Sequence, residues 1–431
     1  MLSVAQAEAL ILGLVQPFNP EQDSEALNVS GNVSGARGRI LARPVTSTLN
    51  FPHWDNSAMD GYAVRFEDIQ DCSPEHPVTL EIVEEIPAGY QPQRVIGKGQ
   101  AARILTGSVM PSGADTVVMQ ENAQRVGNQV TLQIAPSPGA FVRRQGEFYT
   151  AGDPLLPAGL VLQAPEIAVL AAAQCAQVRV YRQPRVAILS TGNELVEIDQ
   201  PLQPGQIVDS NQYALAALVA QTGALPQGLG RVPDDPASLK QAVAEAIASA
   251  DVVLSSGGVS VGDYDYVEEI LASLGGEIHI RAVAIKPGKP LTVATFSRQP
   301  ETGTTLSIPP SSSPLLYFGL PGNPVSALVT CWRFVQPALR KLAGMPQSGW
   351  GPTFVTAKTR TRLSSDGKRE SYLWGCLSLV NGQFEFDLVR GSHSSGNLIN
   401  LAGTNGLAVL PIGKTQVQAG ELVTVMLVGS P

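Results

Sequence analysis

Three apolar runs in the middle of the chain, each ending in a glycine-bearing loop, place the strongest constraint on the fold. The runs are Val186–Leu189, Val252–Leu254 and Leu315–Leu320, and the loops read Ser-Thr-Gly-Asn-Glu, Ser-Ser-Gly-Gly-Val-Ser and Pro-Gly-Asn-Pro. Short apolar runs of this kind are typical of buried strands. A helical pattern separates the first two runs, so we expect parallel strands with their loops along one edge. Open α/β sheets bind ligands at that edge.

The 431-residue chain is too long for a single hydrophobic core, so several domains are expected. Strand, loop and helix alternate over residues 183–342, which predicts an α/β domain around a parallel sheet. Short alternating runs predict an inserted β-rich domain at 51–140, flanked by a discontinuous mixed domain formed by 1–50 and 141–182. Residues 350–431 show no helical period and predict a C-terminal, barrel-like β domain. The fold class is therefore α/β plus mostly-β domains.

The composition argues against several classes of protein. A formal net charge of −8 lacks the basic excess of a nucleic-acid-binding protein. The four cysteines form no C-x-x-C pair and the four histidines show no ligand spacing, so neither a zinc site nor a disulfide framework is indicated, and a cytoplasmic setting is expected. Pro165 and Glu166 interrupt the most apolar long stretch, residues 159–178, which falls short of a membrane span.

The second loop has the features of a phosphate site. Gly257 and Gly258 let backbone N–H groups approach an anion that a Cβ would keep away, and Ser255 and Ser260 flank them with hydroxyl groups. Taken alone, paired glycines are equally typical of a turn that merely ends a strand. The acids that follow favour the functional interpretation.

Carboxylates accompany these loops. Asp263 and Asp265 follow the paired glycines, and Glu194 and Asp209 lie where they could join the same edge. Acids beside a phosphate loop repel the ligand unless a divalent cation lies between them, and Mg²⁺ is commonly held by one or two carboxylates plus substrate phosphates. Each carboxylate by itself is also typical of an ordinary solvated surface.

Basic residues and a helix start complete the predicted edge. Lys286 and Lys289 lie in a Lys-Pro-Gly-Lys turn after a predicted strand at Glu277–Ile285, where their charges could attract an oxyanion. At the third loop a capping asparagine and a first-turn proline predict a helix with free N–H groups, another anion site. The residues of that loop are Pro321, Asn323, Pro324 and Ser326.

A dense polar segment, residues 55–63, lies outside the α/β domain. Two acids, an asparagine, a serine and a glycine occur there without helical or strand period. The segment is typical either of a site or of a loop that satisfies its own turn hydrogen bonds. The residue pattern leaves both open.

Six motifs together resemble the MoeA family of molybdopterin molybdenumtransferases, which is related to gephyrin-type proteins. They occur in the family's order over nearly the whole chain and read DNSAMDGYA at 55–63, LTGS at 105–108, STGNEL at 190–195, SSGGVSVGDYD at 255–265, IKPGKP at 285–290 and LPGNPVSAL at 320–328. The resemblance implies an elongated four-domain subunit that forms a homodimer. It also implies that adenylylated molybdopterin and molybdate react, with Mg²⁺, to give molybdenum cofactor and AMP, and that a separate adenylyltransferase protein is a partner.

The resemblance assigns roles residue by residue. Asp265 looks like the acid that supports hydrolysis of the adenylyl bond, and Asp263, Asp265 and Glu194 resemble metal ligands. The other residues similar to functional positions are the acids Asp60 and Asp209, the threonine Thr106, and the phosphate or molybdate contacts Ser255, Gly257, Gly258, Ser260, Lys286, Lys289, Pro321, Asn323, Pro324, Ser326, Arg369 and Ser395.

Two positions depart from the family pattern. Phe148 stands where relatives often carry the acid of a Gly-Glu-Asp segment, so either Glu147 or Asp153 substitutes for that acid or it is dispensable. Asn193 replaces a common aspartate, which removes a negative charge and leaves Glu194 in place.

Two other functions compete with this interpretation. A molybdopterin adenylyltransferase shares the α/β domain, but its glycine loop typically continues as Thr-Gly, whereas Val259–Asp265 follows here. A non-catalytic gephyrin-like scaffold would not need acids beside a phosphate loop, because their repulsion destabilises the protein unless a metal is present.

Overall fold

The computed structural model describes residues 1–257, 264–297 and 313–429, apart from the side chains of Tyr264 and Asp265. The chain forms two compact units. The first contains 1–43, 158–163 and 178–431, and the second contains 44–157 and 164–177. The finer division into four domains stays a prediction.

A six-stranded sheet forms the centre of the first unit. Its order is Leu225–Val232, Arg185–Thr191, Val252–Ser256, Leu315–Leu320, Pro290–Phe296 and Glu277–Ala282. The first four strands are parallel to one another, and Pro290–Phe296 is antiparallel to both of its neighbours. The three strands predicted from apolar runs are thus confirmed as parallel neighbours, and the last two strands extend the sheet beyond the predicted pattern.

Helices cover both faces of this sheet. Val186, Ile188 and Leu254 lie in one core cluster, whereas Ala187 and Val253 lie in another. Successive residues of a strand point to opposite faces, so a strand buried on both sides needs a continuous apolar run. The helices of this domain are Ser210–Gln221, Pro236–Ser249, Tyr264–Ser273 and a long helix at 324–342.

The long helix contains a wider π-helical segment, Cys331–Val335, between Pro324–Thr330 and Gln336–Leu342. Pro337 has no N–H to donate to the preceding turn, and its ring would collide with a carbonyl there. A π-helical segment accommodates this missing bond. Arg333 lies in this segment and is buried.

The N-terminal helix Val4–Leu14 begins with a capping box, in which Ser3 and Gln6 bond to each other's backbone N–H groups. Val4, Ala7 and Ile11 join the core cluster that covers one face of the central sheet. Further elements are the strand Ser24–Asn28 and the short helix Val33–Ala36 in the first unit, and the strand Gln177–Tyr181, whose first residue belongs to the second unit.

The C-terminal region is a closed five-stranded barrel, as predicted. Its strands, in order around the barrel, are Glu370–Val380, Gln383–Leu388, Phe354–Thr359, Leu422–Leu427 and Gly406–Leu410, and the last pairs with the first. A two-residue strand, Ile285–Lys286, leaves the α/β domain and pairs in parallel with Glu370 and Ser371. The prediction of one strand over Glu277–Ile285 is therefore wrong, because the segment forms two strands, Glu277–Ala282 and Ile285–Lys286, which belong to different sheets.

The second unit contains a curled six-stranded sheet with apolar residues on both faces. Its order is Thr116–Met119, Gly61–Val64, Gln100–Ile104, Val78–Ile86, Gln129–Leu132 and Ala123–Val126. The helix Ala164–Ala172 and two small strand pairs complete the unit, the pairs being Asn56–Ser57 with Val142–Arg143 and Val45–Thr46 with Pro154–Leu156. In the described part of the chain, no helix has the length and apolar character needed to cross a bilayer.

Candidate active site

The carboxyl ends of three neighbouring strands meet at one edge of the central sheet. Ser256 lies opposite Ser190 on one side and opposite Leu320 on the other, so the loops that follow are adjacent. Ser190 and Ser255 are buried, and a side-chain hydrogen bond joins Ser255 to Tyr317. Burial raises the pKa of Tyr317 to about 12, which keeps its hydroxyl neutral. Two of the apolar strands thus end in serine or threonine residues, whose hydroxyl groups lie at this edge.

Glycine is required where two of these loops cross. Gly257 has φ of 93°, a left-handed conformation, and a Cβ there would collide with the carbonyl oxygen of Thr191. A Cβ on Gly322 would lie 3.5 Å from the Cα of Gly257. The sequence predicted that Gly257 lets an anion approach the backbone. The structure adds a second reason for glycine, because the backbone of Thr191 in the neighbouring loop lies against it.

An asparagine that the sequence reasoning missed joins the loops. Asn211 is 8% exposed, and its Nδ2 donates to Ser256 Oγ at 2.6 Å and to the carbonyl oxygen of Gly322 at 2.8 Å. One side chain therefore fixes the second loop against the third. The available signal was an amide in the first turn of a helix, two residues after Asp209, which caps that helix.

Three buried polar atoms near the same edge have no hydrogen bond. Asp209 is 4% exposed, and its Oδ1 accepts from the N–H of Gln212 at 3.2 Å. Among the residues that the structure describes, Asp209 Oδ2, Ser190 Oγ and Thr191 Oγ1 have no partner. Buried polar atoms are nearly always hydrogen-bonded, so these three atoms are suited to receive a ligand.

Glu194 is held near this group by a pair of short strands. Leu195–Val196 pairs in parallel with Ile207–Val208, the strand that leads into Asp209. Glu194 is exposed. A Cβ added to Gly192 would lie only 2.7 Å from the Glu194 carboxylate oxygen Oε2. The carboxylate consequently folds back over its own loop.

The start of the helix at 324 differs from the prediction. Asn323 occupies the capping position, but its side chain makes no capping bond. The N–H of Val325 instead donates to the carbonyl oxygen of Ser395 at 3.1 Å. The expectation that this helix start presents only free N–H groups is therefore wrong at Val325, because a distant segment occupies it. Of the predicted loop residues, Pro321 and Ser326 are buried, Pro324 is half-buried and Asn323 is exposed.

The lysine-bearing turn packs against this helix. A Cβ on Gly288 would lie 2.5 Å from Thr330 Cγ2 and 3.5 Å from the carbonyl oxygen of Ser326, so glycine allows the close approach. Lys286 and Lys289 are both exposed. The turn that carries the two lysines thus packs against this helix.

Lys286 is paired with an acid that the sequence reasoning missed. Its Nζ lies 2.8 Å from Asp366 Oδ2. Arg369 follows in the same loop and donates from Nη1 to the carbonyl oxygen of Ile285 at 3.2 Å. The structure therefore brings Lys286 and Arg369 together. Nothing in the local pattern around Asp366 indicated its partner, 80 residues away.

In the second unit, Asp60 and Thr106 meet directly. Both the N–H and the hydroxyl of Thr106 donate to Asp60 Oδ1, each at 2.7 Å. The hydroxyl bond of Thr106, then its N–H and the charge of Arg103, hold the pKa of Asp60 below its usual value. Asp60 is thus a fixed, ionised carboxylate.

Comparison with known proteins identifies the family. Three family models match in chain order: the MoeA N-terminal region (domains I and II) at residues 2–173, a probable molybdopterin binding domain at 187–341, and the MoeA C-terminal region (domain IV) at 356–428. The chain belongs to the MoeA family.

Relatives match over their full lengths. A molybdopterin molybdenumtransferase of Nostoc sp. is 58% identical over 99% of this chain and 94% of its own. A molybdopterin molybdenumtransferase of Haemophilus influenzae is 36% identical over 99% and 98%. The crystal structure of a molybdopterin biosynthesis MoeA protein from Pyrococcus horikoshii is 26% identical and superposes with a TM-score of 0.79, covering 99% of this chain and 100% of the other. The MoeA fold is thereby shown.

The two departures from the MoeA pattern have different surroundings. The N–H of Asn193 donates to Asp234 Oδ2 at 3.3 Å, and Asn193 Oδ1 accepts from the N–H of Asp234 at 3.2 Å. This reciprocal pair braces the loop that carries Glu194. Phe148 is 59% exposed, and the preceding Glu147 accepts the N–H of Arg144 at 3.0 Å.

Four predicted residues lie at or beyond the limits of the description. Gly258, Ser260 and Asp263 are outside the described residues, and Asp265 lies in the first turn of the helix Tyr264–Ser273 with its side chain undescribed. Within the described residues, no group of three or more His, Cys, Asp or Glu side chains has an arrangement suited to a metal ion. The predicted metal ligands therefore stay a prediction.

Proposed function

We propose that this chain is a molybdopterin molybdenumtransferase, which inserts molybdate into adenylylated molybdopterin and releases AMP. One observation carries the proposal: the glycine loops of the central sheet and the basic group formed by Lys286 and Arg369 lie in one compact unit, on either side of the helix start at 324. A reaction between a phosphate-linked pterin and a second oxyanion needs both kinds of site. Names of relatives that match over nearly their whole lengths support the same activity.

In this proposal the loop edge binds the pterin phosphate and the adenylyl group. Backbone N–H groups near Gly257 donate to phosphate oxygens, and the hydroxyls of Ser190 and Thr191 can add bonds that they otherwise lack in the described structure. Asn211 holds the loops at a fixed spacing, so these donors need no rearrangement when the substrate binds.

The basic group binds the oxyanion. Lys286 and Lys289 supply ammonium charges, Arg369 supplies a planar guanidinium, and Ser326 and Ser395 lie at the adjoining helix start. Molybdate carries two negative charges, so a site with several cations is suited to hold it. We propose that Asp60 and Thr106, in the second unit, are functional residues as well.

We also propose that Mg²⁺ takes part, held by Asp263, Asp265 and Glu194. An all-carboxylate set suits this cation, and the buried, unbonded Asp209 Oδ2 at the same edge adds an oxygen to the surroundings. When bound, Mg²⁺ neutralises phosphate charge. The side chains of this chain orient the phosphate, and Asp265 assists the water that attacks the adenylyl bond.

The resemblance supports three wider proposals. They are a homodimer, a cytoplasmic location and a separate adenylyltransferase that supplies the adenylylated pterin. Light scattering coupled to gel filtration measures the first, and a mass close to twice 45.4 kDa is the expected result.

The deciding experiment incubates the protein with adenylylated molybdopterin, molybdate and Mg²⁺ and follows AMP. Molybdate-dependent AMP release above a protein-free control is expected. Asp265→Ala should still bind the pterin but insert no molybdenum, and full turnover by this variant would contradict the assignment. Pyrophosphate release from ATP and molybdopterin would favour an adenylyltransferase, and no turnover at all would favour a scaffold.

A further inference from the structure

The acid beside Lys286 is held in a defined orientation. Asp366 Oδ2 bonds to the Lys286 ammonium at 2.8 Å, while its Oδ1 accepts the N–H of Lys368 at 3.0 Å. Both carboxylate oxygens are therefore engaged. The side chains of Lys286 and Asp366 remain 47% and 35% exposed, so solvent and small anions can reach the pair.

The loop that carries Asp366 is braced against a neighbouring turn of the barrel. Ser365 donates its N–H to the carbonyl oxygen of Thr415 at 2.9 Å and its hydroxyl to that of Lys414 at 2.8 Å. The N–H of Gly413 donates to the carbonyl oxygen of Gly367 at 2.9 Å, and Gly367 has φ of 70°. The carboxylate is thus part of a fixed turn that faces Lys286.

The surrounding charges make Asp366 a permanent anion near neutral pH. The hydrogen bond from Lys286, followed by the N–H of Lys368 and the charges of Lys286 and Arg369, lowers the pKa of Asp366. The next acid, Glu370, accepts the hydroxyl of Tyr372 at 2.6 Å and is engaged away from the lysine. Asp366 is consequently the acid placed on Lys286 in the described structure.

We propose that Asp366 is a built-in competitor of the oxyanion: its carboxylate occupies the Lys286 ammonium until molybdate displaces it, and this exchange sets the affinity of the site. The inference rests on the proposed function. A transferase has to release its oxyanion to the second substrate, and a competing carboxylate keeps the bound oxyanion exchangeable. Any oxyanion that binds Lys286 must first replace the bond to Asp366.

Equilibrium dialysis of molybdate alone against the full-length protein, at constant low ionic strength, tests the proposal. Asp366→Asn and Asp366→Ser remove the charge, and each keeps an oxygen that can accept the N–H of Lys368. Both should lower the Kd for molybdate about three- to fivefold, the effect of losing one half-exposed ion pair. In turnover, the KM for molybdate should fall while kcat does not rise.

Glu385→Gln is the matched control, because Glu385 forms a comparable ion pair with Arg360 at 2.6 Å elsewhere on the barrel. It should leave the Kd unchanged within about twofold. Lys286→Met should weaken binding, and adding Asp366→Asn to it should restore little, since the ammonium is absent. If the wild-type protein binds molybdate and releases AMP but the Kd for molybdate is unchanged or higher in both Asp366 variants, this proposal is overturned and the proposed function is not. Absence of molybdate binding and of AMP release in the wild type overturns both it and the proposed function.

Discussion

At the scale of single residues, Asn211 joins the two loops that are proposed to bind the ligand. Asn211→Ala leaves the buried Ser256 hydroxyl and the Gly322 carbonyl without their donor, so the free energy of unfolding should fall by about 1–3 kcal/mol. AMP release should slow as the loops separate. Urea denaturation measures the first effect. Gln221→Ala, exposed at the end of the same helix, should change stability by less than about 0.5 kcal/mol, and equal effects of the two would refute the role.

Thr106 controls the titration of Asp60. Thr106→Val removes the hydroxyl bond and keeps the backbone N–H, so the pKa of Asp60 should rise partway towards its usual value. A lowered pKa contributes stability that is present above the unfolded value, about 3.9, and is lost as the pH falls through the folded value. The variant should therefore lose part of this contribution near neutral pH. Carboxyl ¹³C NMR titration measures the pKa, and Thr131→Val in the same sheet should leave it unchanged.

At the scale of elements, a buried ion pair joins the N-terminal helix to the π-helical segment and the barrel. Arg333 donates to both carboxylate oxygens of Glu8, and its Nε donates to the hydroxyl of Tyr372 at 3.1 Å. Burial works to lower the pKa of Arg333, but Glu8 overcomes this effect and the pKa is raised. Glu8 therefore compensates for the burial of the Arg333 charge.

Glu8→Ala should lower the free energy of unfolding by about 3 kcal/mol, because it leaves Arg333 charged, 5% exposed and without its carboxylate. Chemical denaturation measures the change. Glu385→Ala, which breaks the more exposed pair with Arg360, should cost at most about 1 kcal/mol. A Glu8→Leu/Arg333→Met double variant removes both charges and should recover most of the loss. If Glu8→Ala is as stable as Glu385→Ala, the ion pair of Glu8 and Arg333 is dispensable for stability.

The elements that the sequence predicted are those with a local cause. The apolar runs Val252–Leu254 and Leu315–Leu320 were predicted at the observed first residues of their strands, because burial acts over a few positions. The pairing of Ile285–Lys286 with the barrel, the bond from Val325 to Ser395 and the bonds of Asn211 join segments that are 45 to 111 residues apart. The periodicity of a sequence does not indicate such contacts. The motifs predicted the candidate site, whereas the bonds within it could be seen only in the fold.

At the scale of the whole molecule, the two compact units separate the proposed functional residues into two sets. Lys286, Ser326, Arg369 and Ser395 lie in the first unit, and Asp60 and Thr106 lie in the second. Each unit has its own core, so each is expected to unfold cooperatively by itself. Scanning calorimetry should then resolve two transitions.

Molybdate should raise the midpoint temperature of the first unit's transition and leave that of the second unit unchanged. A ligand at 100 times its Kd stabilises the unit that binds it by about 2.7 kcal/mol, which corresponds to a shift of about 4 °C for a unit of this size. Hydrogen exchange identifies the unit: peptides around Lys286 and Arg369 should gain protection, and those around Asp60 should not. Thr106→Val provides the converse control, since it should lower only the second unit's midpoint. A single transition would show that the two units unfold together. A shift of both midpoints would show that the effect of molybdate is not confined to the first unit, and protection confined to peptides around Asp60 would place the binding site in the second unit.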